Sequence, residues 1–176
     1  MGIDPGTKIM GYGIIAVVQK KIELIVLDVV NLEKIKNQPL KLKKIFETTL
    51  SLIDRYKPDE LAIEAQFFGK NVQSMLKLGR AQGVAIAAAL FRDIPIFEYS
   101  PKSIKQSICG NGNASKEQVA AMLKNIIEIK TLPSSLDATD GLAAALCHHY
   151  QTNSLKGNAG FKGWESFLAK NPGRIV

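Results

Sequence analysis

Four carboxylates stand in three local contexts where an acid is costly. Asp4 sits in Gly2-Ile3-Asp4-Pro5-Gly6-Thr7, and Glu64 closes the apolar run Leu61-Ala62-Ile63-Glu64. Asp137 and Asp140 open an apolar stretch of small residues that runs from Gly141 to Cys147. Each acid borders an element expected to be buried, where an ionised carboxylate needs compensation. A divalent metal is the usual compensation, and a ligand set made only of oxygen suits Mg²⁺.

The elements that must position these acids follow from periodicity. Pro5 biases Asp4 toward an extended backbone, so Asp4 ends a strand. Met10 to Val18 and Ile22 to Val30 are rich in strong β formers, and Gln19-Lys20-Lys21 reads as the turn between them. Leu40, Leu42, Ile45, Phe46, Leu50 and Ile53 recur at helical spacing over residues 39–56, and Lys57-Pro58-Asp59 ends that helix. Glu60 to Glu64 is a short buried strand. Residues 72–91 read as a long helix whose Gly79 and Gly83 point to close approach of another backbone. A strand over 94–99 follows, then a helix opened by Pro101. Ser115 caps a further helix with Gln118 placed for a capping box. The last strong helix runs from about Asp137 to Tyr150. This order predicts an α/β fold, a mixed sheet flanked by helices.

If the strands ending at Asp4 and Glu64 are parallel neighbours, both acids emerge at the edge where ligands bind in such sheets. Asp137 and Asp140, three apart, share one helix face with Cβ atoms roughly 5–6 Å apart. Each acid also has an ordinary reading. Asp4 could be a turn residue, Asp137 a helix cap and Asp140 a solvated first-turn acid. Glu64 is the hardest to dismiss, since it ends an interior run.

Composition bounds the partners. A chain of 176 residues that is 46% hydrophobic suffices for one domain with a real core. No apolar run approaches membrane-spanning length and no secretory leader is evident, so a cytoplasmic protein with no membrane association is expected. Cys109 and Cys147 give no disulfide framework. A net charge of +7 favours a polyanionic partner. Residues 1–151 are expected to form the folded domain and 152–176 a polar, glycine-rich tail in which Trp164 and Phe167 could dock.

The motifs G-I-D-P-G-T, A-I-E-x-x-F, K-L-G-R-A-Q-G-V-A and D-A-T-D-G-L-A-A-A, in this order and spacing, closely resemble the RuvC family of Holliday-junction resolvases. The resemblance covers about residues 1–150. It implies a ribonuclease H-like mixed five-stranded sheet flanked by helices, and a homodimer that cleaves two opposed strands of a four-way DNA junction in recombination and repair. It implies Asp4, Glu64, Asp137 and Asp140 as ligands of two Mg²⁺ ions, with Mn²⁺ able to substitute. A branch-migration motor complex is an implied partner. Phe67 matches the aromatic that stacks on a base near the junction centre, and Lys105 and Lys116 match basic positions near the DNA. The family usually has a longer apolar strand before the first acid than the three residues that precede Asp4.

The implied chemistry is metal-assisted hydrolysis of a phosphodiester. Without metal the clustered carboxylates should repel, and at least one pKa should rise. No serine, cysteine or tyrosine stands in an equivalent constellation, so no covalent intermediate with DNA is expected. Lys70, Lys77, Arg80, Lys105 and Lys116 are candidate DNA contacts. Taken singly they are solvated charges, but together they line one face if their helices flank the acids. Lysines between residues 34 and 44 read as soluble surface. His148 lies about 16 Å along the helix from Asp137 and reads as a helix-end residue. The helix of residues 72–91 reads either as tightly packed core or as a dimer surface.

Three other functions fit parts of the pattern. The Gly2–Thr7 segment also looks like the first phosphate loop of actin-like ATPases. The same acids would serve a nuclease of RNA–DNA hybrids. A junction-binding protein without catalysis would keep the fold.

Overall fold

The computed structural model describes residues 1–66, 71–129 and 135–157, without the side chains of 154–157. Along the chain run β1 (Gly2–Asp4), β2 (Ile9–Val18), β3 (Lys21–Asn31), α1 (Gln38–Tyr56), β4 (Leu61–Glu64) and α2 (Val72–Leu90). They are followed by β5 (Ile96–Tyr99), α3 (Pro101–Cys109), α4 (Lys116–Ile126) and α5 (Asp137–Gly157). The strands form one sheet in the order β3-β2-β1-β4-β5. β1–β2 and β2–β3 pair antiparallel, whereas β1–β4 and β4–β5 pair parallel. The sheet is the mixed, five-stranded one expected.

Strand alternation divides the core into two. Ile3, Met10, Tyr12, Ile14, Leu61 and Ile63 pack with Ile45, Leu52, Ala81 and Ala85 of α1 and α2. On the other face, Ala62 packs with Ile104, Val119, Leu123, Leu142 and Leu146 of α3, α4 and α5. Residues that alternate with Ile3 and Ile63, namely Asp4 and Glu64, therefore belong to the face that α5 covers.

Local signals set the element ends. The hairpin turn is two residues, Gln19 and Lys20, both at positive φ, as the twist of the flanking strands demands. Lys21 already belongs to β3. Asn37 caps α1 through Leu40 N, and Lys57 closes it in the left-handed conformation. Ser115 and Gln118 form the expected capping box.

Two details differ from expectation, the packed-core reading of the α2 glycines and the end of α5. Within the described chain Gly79 and Gly83 approach no backbone, and a Cβ at either would meet nothing within 4 Å. The close packing of α2 is made by Ala81, Ala85, Ala88 and Ala89, and the glycines face outward. Also, α5 does not stop at Tyr150 but continues to Gly157. Thr152 Oγ1 donates back to the His148 carbonyl at 2.8 Å, so polar residues carry the helix on. Residues 158–176, with Trp164 and Phe167, lie outside the described residues. Among the described residues, no helix is long and apolar enough to cross a membrane.

Candidate active site

Register brings the first two acids together. In the parallel β1–β4 pair, Gly2 stands opposite Ala62 and Ile3 opposite Ile63. One residue further, Asp4 and Glu64 leave the sheet side by side at the C-terminal ends of their strands. A third chain segment holds the loop beyond Asp4. Lys41 of α1 donates from Nζ to the Thr7 carbonyl at 2.9 Å. Lys41 is thus more than a soluble surface lysine, which its place in a lysine-rich segment suggested.

Close packing of α5 brings the other two. Asp4 pairs with Gly11 across the β1–β2 ladder. Gly11 lies directly beneath the start of α5, and a Cβ there would stand 1.8 Å from the Asp137 carbonyl oxygen. Gly141 returns the contact, since its Cβ would stand 2.6 Å from Tyr12 Cα. Backbone thus meets backbone, and the first turn of α5 is set down beside Asp4. Glycine inside a strand is a recognised sign of such approach, and Gly11-Tyr12-Gly13 carried it unread.

Two side chains organise the helical acids. Ser135 Oγ donates to Asp137 Oδ2 at 2.7 Å. Lys116, the first residue of α4, reaches both acids, with Nζ 3.0 Å from Asp137 Oδ1 and 2.5 Å from Asp140 Oδ2. Periodicity gave no hint of Ser135; only its place two residues ahead of an acid could have marked it. Lys116 was matched to DNA, and the structure puts it among the acids.

The electrostatics are those of crowded carboxylates. Burial, then Asp140 and Asp137, push the Asp4 carboxyl up to about 7. Burial, then Asp4 and Asp140, push Glu64 up to about 8. Asp140 is also raised, chiefly by burial, with Lys116 opposing. Asp137 goes the other way, because the Ser135 hydroxyl and then Lys116 favour its charged form. Burial works against the Lys116 ammonium, but the Asp140 and Asp137 carboxylates outweigh it and hold it above its ordinary value. Lys105 is close enough to temper both Glu64 and Asp140.

A divalent metal fits this donor set. All four groups are oxygen donors, as a hard cation prefers. Asp4 and Glu64 are half-buried, and no hydrogen-bond donor among the described residues occupies their oxygens, which leaves them free to take a cation. Among the described residues, no three acids converge tightly enough to hold an ion as they stand. The Lys116 ammonium bridges two of them.

Asp4, Glu64 and Asp137 line a cleft of about 430 Å³ with Pro5, Gly6, Thr7, Gln66 and Leu78. Lys77 and Arg80 are exposed on α2, either side of Leu78. Phe67 and Lys70 lie outside the described residues. A larger cavity of about 620 Å³ lies at the opposite end of β1 and β4, around Met1, Glu60 and His148. His148 is no helix-end residue. It is 7% exposed, stacks on Phe97, and bonds Tyr99 and Glu60 through its two ring nitrogens, each at 2.7 Å. It ties α5 to the sheet, far from the acids.

Known proteins resemble the chain in sequence and in fold. The family model described as crossover junction endodeoxyribonuclease RuvC matches residues 1–148. The crossover junction endodeoxyribonuclease RuvC of Christiangramia forsetii is 59% identical over 175 residues, covering 99% of this chain and 91% of the relative. That of Bacteroides fragilis is 58% identical over 177 residues, covering 99% and 94%. The structure of Thermus thermophilus RuvC in complex with Holliday junction substrate matches with a TM-score of 0.78 at 33% identity, covering 86% of this chain and 92% of that one.

Proposed function

The chain belongs to the RuvC family of crossover junction endodeoxyribonucleases, nucleases with a ribonuclease H-like fold, and on that premise we propose that Asp4, Glu64, Asp137 and Asp140 form its hydrolytic site. The family is metal-dependent. Here the four acids would hold two Mg²⁺ ions, with Mn²⁺ able to substitute. Bound there, the ions supply Lewis acidity for the attacking water and the leaving 3′ oxygen of a DNA phosphodiester. The observation that supports this most is the meeting of β1, β4 and α5 at one sheet edge, with Asp4, Glu64 and Asp137 lining one cleft and Asp140 three residues beyond Asp137 on α5.

The chain's own residues do the positioning. Lys41 and the Gly11 contact fix the two sides of the cleft, and Ser135 orients one Asp137 oxygen. Lys105, near Glu64 and Asp140, is placed to stabilise charge on the scissile phosphate. Lys70, Lys77, Arg80 and Lys116 contribute phosphate contacts, and Phe67 stacks on a base at the opened centre of the four-way junction. The resemblance supports the roles of Phe67, Lys105 and Lys116, and exposure on α2 beside the cleft supports those of Lys77 and Arg80.

The partner that completes the enzyme is a second copy. Val72, Leu76, Gly79, Gly83, Ala87 and Leu90 form an exposed, apolar or small-residue stripe along α2, while its alanines fill the core. Such a face is self-complementary in a two-fold dimer. Two copies would set two acid clusters on opposed strands and make paired nicks. A cytoplasmic setting and a branch-migration motor complex follow from action on junction DNA.

The test is cleavage of a synthetic four-way junction beside a matched duplex and an RNA–DNA hybrid, with Mg²⁺ and with chelator. Symmetric nicks in the junction alone, dependent on Mg²⁺, are expected. Equal cleavage of the hybrid would replace this reading with a hybrid nuclease, and binding without cleavage with a junction scaffold.

A further inference from the structure

Lys116 Nζ bridges Asp137 and Asp140 at 3.0 and 2.5 Å, within the donor set assigned to metal. An oxygen that ligates Mg²⁺ sits about 2.0–2.1 Å from it, so an ammonium on the same two oxygens would lie against a second cation. On those two oxygens the cations compete.

The setting of Lys116 favours movement. It is the first residue of α4, where the helix dipole disfavours a cation, so local helix energetics do not explain a lysine there. Its side chain is 49% exposed, while Asp140 is 15% exposed. The lysine is thus more exposed than either acid it bridges, Asp137 at 34% and Asp140 at 15%. Lysine is a flexible four-carbon stem with a compact charge, suited to swinging between two positions.

We infer that Lys116 is a displaceable counter-cation, which neutralises the acid pair in the metal-free protein, yields to a divalent ion, and then delivers its ammonium to a backbone phosphate of the bound strand. Metal loading and strand binding are thereby coupled, because metal alone must displace the lysine without a new partner for it. The inference rests on the metal site proposed above.

Calorimetric titration of Mn²⁺ into the full-length, DNA-free protein tests it. Lys116→Met should bind Mn²⁺ more tightly than wild type, by about tenfold or more, a typical coupling between competing ligands. Lys116→Arg, which grips both carboxylates more firmly, should bind it more weakly. Junction binding gives the second arm. The salt-dependence slopes of wild type and Lys116→Met should coincide in chelator and differ by about one phosphate contact with Ca²⁺ present. Equal or weaker Mn²⁺ binding by Lys116→Met, tighter binding by Lys116→Arg, or a slope difference that ignores Ca²⁺ overturns the inference. Asp140→Asn separates the failures. If it binds Mn²⁺ as wild type does, the metal site itself is misplaced; if it loses the ion while Lys116→Met is unchanged, only the lysine's role falls.

Discussion

Gly11 has no room for a side chain because Asp137 is above it. A Cβ on Gly11 would lie 1.8 Å from the Asp137 carbonyl oxygen, and the neighbour is backbone that no rotamer can clear. Since Asp4 is the ladder partner of Gly11, the same contact that seats α5 sets the spacing between the strand acid and the helix acids.

Gly11→Ala should therefore act on activity more than its size suggests. Overpacking of this kind costs about 1–3 kcal/mol of stability. A shift of about 1 Å at the start of α5 should cost about a hundredfold in cleavage. Melting temperature and single-turnover cleavage of a four-way junction measure the two. Unchanged cleavage would show that the acids do not depend on this contact.

Asp4→Asn, Glu64→Gln and Asp140→Asn should each lower cleavage by about a thousandfold, or roughly 4 kcal/mol of barrier. Junction binding should persist in every case, because phosphate contacts supply most affinity. An acid whose neutral variant still cleaves at near the wild-type rate does not belong to the site.

The pathway from residues to site was legible in part. Period-2 alternation and Pro5 placed Asp4 and Glu64 at strand ends, and three-residue spacing put Asp137 and Asp140 on one helix face. Which sheet face α5 covers was not legible, because it depends on the shallow surface of Gly2, Gly11, Gly13 and Ala62, residues far apart in the chain. The glycines of α2 were ambiguous for the complementary reason. A one-dimensional pattern marks small residues without saying whether they look inward or outward. Lys41 and Ser135 carry no periodic signal at all, and their roles exist only once loop and helix are brought together.

The raised carboxyls give the metal-free protein a characteristic pH response. Asp4 and Glu64 bind protons in the folded state up to about 7 and about 8, whereas unfolded they release them near 3.8 and 4.5. Across that interval the native state holds more protons than the unfolded one, so stability falls as pH rises. In chelator, the melting temperature should drop from about pH 5 to about pH 8. Mg²⁺ should restore more at the upper end, because the ion replaces protons that are no longer there. The Asp4→Asn/Glu64→Gln double variant should lose most of this slope. A slope equal to wild type would place its origin elsewhere.

The outward stripe of α2 offers a clean test of assembly. Gly83 is exposed and a Cβ there meets nothing within 4 Å, so the monomer has space for a larger residue. Gly83→Arg should keep the fold by circular dichroism yet shift sedimentation toward the monomer. Junction cleavage should then yield single, uncoupled nicks. A variant that stays dimeric would move the interface off this face.

Ser135 touches the proposed metal site only through Asp137. Its hydroxyl donates to one carboxylate oxygen at 2.7 Å and accepts from the Asp137 N–H at 3.3 Å, so the rotamer of the acid is held from both ends. Partners of this kind orient a ligand without touching the ion, and their loss costs about 10–100-fold in metal affinity or activity. Ser135→Ala should therefore weaken Mn²⁺ binding within that range and recover cleavage at high Mn²⁺, since the chemistry after binding is intact. Ser135→Thr, which keeps the hydroxyl, should restore most of the affinity. A Ser135→Ala variant that melts earlier but binds Mn²⁺ as wild type does would reduce Ser135 to a turn residue that starts α5.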